Sequence, residues 1–185
     1  MTIDFEHAVL LPIDMQQGFE DPKWPRRWNR QVDANGQSLI RHWRERGRPI
    51  IHVRHDSIVK DSTLHPDSPG NRHRPGFEPQ GDEPLVTKGV NSAFIGTDLD
   101  LRLKRIGAQH VVTFGISTDM CVSTTIRTGA NMGWDMILAE DASDCFELPD
   151  GNGGTISAEA IHRAHVATLG FEFCRVMTTA ELLAT

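Results

Sequence analysis

HVVTFGISTDMCVSTTIRTGANMG, His110 to Gly133, is the stretch whose reading decides the fold. An apolar run of strand length, His110–Gly115, passes through small polar residues into a segment with Val122, Ile126 and Gly129 on one helical face. Continuous apolar runs, as opposed to strict alternation, suit strands covered on both faces. The same pattern recurs outward along the chain. Ala8–Ile13 (AVLLPI), Pro49–Val53 (PIIHV), Pro84–Thr87 (PLVT), Asp135–Ala139 (DMILA) and Phe171–Val176 (FEFCRV) are predicted strands. Helical spacing joins Val32, Gly36, Leu39, Ile40 and Trp43, closed by Gly47. It joins Leu99, Leu103 and Ile106, with Thr97 as N-cap and Gly107 behind, and again Ala158, Ile161, His165 and Leu169, followed by Gly170. Strand and helix alternate, which predicts an α/β fold: three α/β/α layers, Rossmann-like, around a parallel sheet.

The 185 residues suffice for one domain with a large core, so a single domain over 1–185 is expected. Nineteen Lys and Arg against 25 Asp and Glu leave a formal charge of -6. That balance argues against a nucleic-acid footprint or a polybasic membrane patch and points to a small-molecule partner. The opening MTIDFEHAVLLPID carries acids and only a short apolar run, so neither a signal peptide nor a membrane span is expected, and a cytoplasmic protein is. Three cysteines, Cys121, Cys145 and Cys174, with no CxxC pair, fit neither a disulfide framework nor a zinc knuckle. Asp56 to Glu83, rich in Pro, Gly, His and Asp, reads as a loop covering a site.

Open parallel sheets bind ligands beyond the carboxyl ends of their strands, where the winding reverses. An acid, an amine and a thiol reach such ends from distant parts of the chain. Asp14 closes the first strand in LLPIDMQQGF, Lys88 closes another in LVTKGVNSAF, and Cys121 stands where the helix after HVVTFG begins. A thiol at a helix amino terminus faces free N–H groups and the positive end of the dipole, which predicts a lowered thiol pKa.

These residues carry a family resemblance. LLPIDMQQGF around Asp14, the run from Val86 to Ser143 and VMTTAELL near the end are similar to the isochorismatase-like cysteine hydrolases. That family also contains nicotinamidases, N-carbamoylsarcosine amidohydrolases and maleamate amidohydrolases. QQGFEDP, HVRHDS, PGN, KGVNSAFIGTDL and RTGANMGWD resemble streptothricin-hydrolase-like members most closely. The resemblance implies a six-stranded parallel sheet of order 3-2-1-4-5-6, with Asp14, Lys88 and Cys121 as a catalytic triad at the switch point. It further implies a cis peptide at Ile116–Ser117 and an oxyanion hole from the backbone N–H groups of Ser117 and Cys121.

The implied reaction is hydrolysis of an amide or cyclic amide C–N bond through a thioester, a streptothricin-type lactam being one such substrate. The alternatives are an isochorismatase-type vinyl ether hydrolase and a non-catalytic binding member. Phe19, Trp24, Trp28, Asn91 and Phe94 are the expected pocket walls, while Thr118 and Asp119 are expected to stabilise the turn. No cofactor is expected. His52-Val53-Arg54-His55-Asp56 does not reproduce the Asp-x-His ligand pattern of the nicotinamidase branch, and residues three apart on a strand face opposite ways. His65 and His73 read as loop histidines. Relatives form dimers and higher assemblies, so a homo-oligomer is expected.

Overall fold

The computed structural model describes residues 4–185. Strands β1 (Ala8–Ile13), β2 (His52–His55), β3 (Leu85–Lys88), β4 (His110–Gly115), β5 (Asp135–Ala139) and β6 (Arg175–Met177) form the main sheet. Its order is β3-β2-β1-β4-β5-β6, parallel throughout, as the resemblance implies. The chain winds outward from β1 through β2 to β3, then returns to lay β4 on the other side of β1. The winding therefore reverses between β1 and β4. A hairpin of two-residue strands, Leu148–Pro149 and Thr155–Ile156, stands apart from the sheet.

Alternate residues of the central strands feed two cores. Ala8, Leu10, Val112, Phe114, Ile137 and Ala139 point to one face, where Leu39, Ile40 and Trp43 of α1 (Val32–Glu45) and Leu182 pack. Val9, Leu11, Ile13, Val111, Met136 and Leu138 point to the other. There they meet α2 (Leu99–Arg105) through Leu99 and Leu103, α3 (Ser123–Asn131) through Ile126 and α4 (Ala158–Glu172) through Leu169. A short α5 (Thr179–Leu183) opens with a capping box between Thr178 and Glu181.

The third strand is shifted by one residue, Leu85–Lys88 against the expected 84–87, and three further boundaries differ from the sequence reading, each for a local reason. Pro12 has no N–H, so β1 cannot donate to the neighbouring chain there. Regular pairing of β1 with β2 shrinks to Ile13–Val53 plus a bridge at Leu10–Ile50, and the second strand runs over His52–His55, not 49–53. Gly170 does not end the last long helix but lies inside it, where a Cβ would stand 2.9 Å from Val176 Cγ2. Phe171 and Glu172 are thus helical, and the last strand begins only at Arg175. The N-cap position of α2 falls on Asp98; Thr97 still accepts the Leu99 N–H at 3.3 Å.

Gly115 is the backbone pivot of the reversal. Its φ is 144°, and an added Cβ would lie 2.0 Å from the Ile13 carbonyl oxygen of the adjacent strand. Gly115→Ala is expected to cost roughly 3–5 kcal/mol by forcing β1 and β4 apart. Urea unfolding of the variant checks this; a midpoint equal to wild type would refute the close approach.

Candidate active site

Each of the three candidate residues sits at the same rim for a different backbone reason. Asp14 leaves β1 at φ 53°, the left-handed region, which Asp tolerates better than most side chains; its N–H donates to Val53 O at 2.9 Å. Lys88 is the last residue of β3. Cys121 lies in a π-helical turn, Thr118–Val122, that runs directly into α3, so it precedes the α-helix proper. The peptide Ile116–Ser117 is cis, as the resemblance implies, and the Ser117 N–H has no acceptor among the described residues.

The three side chains meet. Lys88 Nζ donates to Asp14 Oδ2 at 2.6 Å and to Cys121 Sγ at 3.3 Å, and it lies 3.2 Å from Nδ1 of His55. The Lys88 and Asp14 side chains are wholly buried. Asp14 Oδ1 is buried as well, with no hydrogen-bond partner among the described residues. A carboxylate oxygen of Asp14, a ring nitrogen of His55 and Cys121 Sγ all lie within 4.8 Å of one another.

The electrostatics correct the expectation drawn from the helix dipole. Burial, then the Asp14 carboxylate, push the Cys121 thiol well above its ordinary range, and Lys88 opposes them only in part. Cys121 therefore rests as a thiol beside a carboxylate, not as a free thiolate. Burial works against the Lys88 charge, but Asp14 and Cys121 outweigh it and raise the ammonium pKa. His55 is lowered, first by burial and then by Lys88, so it is neutral at pH 7.

A cavity of about 190 Å³ opens over the sulfur, lined by Phe19, Trp24, His55, Asn91, Ser117 and Phe146 among others. Phe19, Trp24 and Phe146 form one aromatic wall with centroid separations of 5.0–5.8 Å. The Trp24 indole N–H is anchored on Thr63 Oγ1 at 3.1 Å. Trp28 and Phe94 do not reach this cavity. Trp28 turns outward and packs on the His162 ring at 5.3 Å, while Phe94 is drawn into the core against Gly129. A larger space of about 580 Å³ lies at the opposite rim, beside Pro49–Ile51 and Pro84, but no Cys, Ser or His lines it.

Residues that the sequence reading did not assign to this site hold it in place. Gln16, fully buried, accepts the His55 N–H at 2.9 Å and donates to the carbonyls of His55 and Asn71 at 3.0 and 2.9 Å. Asn71 of the PGN turn lies within hydrogen-bond reach of His55 O, Asp56 Oδ1 and Leu64 O, tying the long loop to the end of β2. PGN was visible as a motif; its partners were not. His55 and His52 do face opposite ways: His52 meets Glu83 at 2.8 Å, away from the cavity.

Asp14, His55 and Cys121 are the one group of His, Cys, Asp and Glu side chains among the described residues close enough to share a metal ion. The Lys88 ammonium already stands within hydrogen-bond reach of all three, and its charge repels a second cation. His65 and His73 do not join this group.

The turn carrying Cys121 is pinned from behind. Thr118 N–H donates to Asp144 O at 2.8 Å, Thr118 Oγ1 lies 2.9 Å from His162 Nδ1, and Ser117 Oγ donates to Asp119 at 2.6 Å. Burial, then His165, hold His162 near pKa 4; burial, then His52, hold His73 near 4 as well, against an ordinary 6.5. Between those values the unfolded chain binds protons that the folded chain refuses. Stability is therefore full above pH 6.5 and drains as pH falls toward 4. Urea midpoints measured at about pH 7.5 and about pH 5 should fall with pH, and His162→Asn should flatten part of the drop. A pH-independent midpoint would refute the buried neutral state.

Comparison with known proteins places the chain in a family. The Isochorismatase domain model matches residues 8–181. A crystal structure of an isochorismatase-family protein from Chromobacterium violaceum superposes with a TM-score of 0.95 at 39% identity, covering 100% of this chain and 95% of that one. The isochorismatase family protein YrdC of Bacillus subtilis is 37% identical over 178 residues, 96% of this chain and 95% of its own. A streptothricin hydrolase of Streptomyces noursei is 26% identical over 166 residues, 89% of this chain and 60% of its own. With the family model spanning nearly the whole chain, and relatives well above 30% identity along its length, this protein belongs to the isochorismatase family.

Proposed function

We propose that this protein is a cysteine-dependent hydrolase of a C–N bond in a small amide or cyclic amide, with Asp14, Lys88 and Cys121 as its triad. The observation that carries the reading is the Lys88 ammonium bonded at once to the Asp14 carboxylate and the Cys121 sulfur, beneath an aromatic-walled cavity. Asp14, with a buried and unpartnered oxygen, takes the thiol proton, and Lys88 holds the thiolate and the carboxylate in register. The sulfur attacks the carbonyl carbon, and the N–H groups of Ser117 and Cys121 receive the oxyanion. Asp14 passes its proton to the leaving nitrogen, the C–N bond breaks and a thioester remains. Water, deprotonated by Asp14, then attacks the thioester carbonyl, releasing the acid and restoring the thiol.

The cavity of about 190 Å³ is smaller than a drug-sized pocket, and it admits a compact, uncharged reacting end more readily than a bulky one. A streptothricin-type lactam enters only through the ring that bears its amide. The sequence relationship to a streptothricin hydrolase supports the class of bond, not the identity of the substrate.

The test is product detection by mass spectrometry with a panel holding a streptothricin-type lactam, nicotinamide, maleamate and N-carbamoylsarcosine, with and without chelator. Conversion of one amide to its acid, unchanged by chelation, is the expected result. Loss of turnover on chelation would show that Lys88 is not the operating cation.

A further inference from the structure

A fully buried ammonium has three N–H donors to satisfy, and an unpaired one is costly. Lys88 finds Asp14 Oδ2 at 2.6 Å, Cys121 Sγ at 3.3 Å and, as its third partner, His55 Nδ1 at 3.2 Å. Nδ1 can accept only if it carries a lone pair. The imidazole must then be neutral, with its proton on Nε2. Nε2 has no protein partner among the described residues and is not sealed from solvent, while the ring borders the cavity.

The backbone of His55 is clamped on both sides. Its N–H donates to Gln16 Oε1 at 2.9 Å, and its carbonyl accepts from Gln16 Nε2 at 3.0 Å and Asn71 Nδ2 at 3.2 Å. Such a clamp fixes where the ring can stand. Every group facing the ring sets its charge state in the same sense or is outweighed: burial and Lys88 oppose protonation, and Asp14 and Asp56 favour it, with the balance toward the neutral form.

We propose that His55, as the neutral Nε2–H tautomer, is the positioning residue that holds the Lys88 ammonium between Asp14 and Cys121. The inference rests on the cysteine-hydrolase reading of the site, but its test requires no amide substrate. Where the Lys88 ammonium drifts, the sulfur loses the one charge that offsets its burial and the field of Asp14. Thiolate becomes scarcer, and a thiol reagent reacts more slowly.

The experiment compares iodoacetamide alkylation of Cys121, followed by peptide mass mapping, in wild type, His55→Asn and His55→Gln. Cys145 and Cys174, both pushed up to about 12 by burial, report background labelling within each sample. Asn places its amide oxygen where Nδ1 stands, whereas Gln carries its oxygen one methylene farther out. His55→Asn should alkylate within about threefold of wild type and His55→Gln about tenfold more slowly, the ratio expected for one hydrogen bond to a charged group. Matching thermal midpoints show that both variants are folded. Equal rates in all three proteins would overturn the proposal, as would equal slowing of both variants. Failure of every amide in the panel would leave this result standing, so the two readings fail separately.

Discussion

Under the proposed mechanism, Cys121→Ala is expected to lower amide hydrolysis by at least about 10⁴-fold, because removing the proposed nucleophile leaves only the binding and oxyanion groups. The loss should fall on turnover, not on fold. Cys121 fills little volume at the cavity edge, and Lys88 keeps its bonds to Asp14 and His55 when the sulfur is gone. Cys121→Ser should fail nearly as badly. Burial beside a carboxylate already holds a thiol protonated there, and a hydroxyl is a far weaker acid. Single-turnover assays and mass spectrometry of the wild-type protein should reveal an acylated Cys121 peptide that both variants lack. Activity within tenfold of wild type in the alanine variant would remove Cys121 from the mechanism.

Asp14→Asn should have a double effect, about 10³-fold on kcat/KM and about 3–5 kcal/mol on stability. The substitution is close to isosteric, and asparagine tolerates the φ of 53° at this position, so the backbone is not the cause. The cause is charge. The Lys88 side chain has no solvent exposure, and its 2.6 Å partner would become a neutral amide, leaving an ammonium buried without a counter-ion. The same amide cannot serve as the base for the thiol. Urea unfolding at neutral pH and steady-state kinetics measure the two effects on one preparation. A variant within 1 kcal/mol of wild type would mean that the pair is not held as described, whatever its activity.

The legible part of this protein lay in backbone patterning and in types of residue at strand ends. AVLLPI, HVVTFG and DMILA are strands to the residue, because each run is covered on both faces of the sheet, which in the first outweighs Pro12. PIIHV and FEFCRV read less well. In the first, a proline on the neighbouring strand withholds a donor; in the second, a glycine that looks like a helix stop serves as a spacer against Val176. The first cause acts between strands far apart in sequence; the second is a packing contact across the short connection from α4 into β6, which periodicity does not register.

The same division runs through the site. Strand periodicity determined the α/β class, and the motifs around Asp14, Lys88 and Cys121 determined the rim at which these three side chains arrive, since both depend on short-range pattern and on which side chain ends a strand. Tertiary structure alone decided the acidity of the thiol, the placing of Phe146 in the cavity wall and of Trp28 and Phe94 outside it, and the standing of His55 as the third partner of Lys88. Those outcomes are set by desolvation and by distances of a few ångströms between distant segments, quantities that no local pattern of residues encodes.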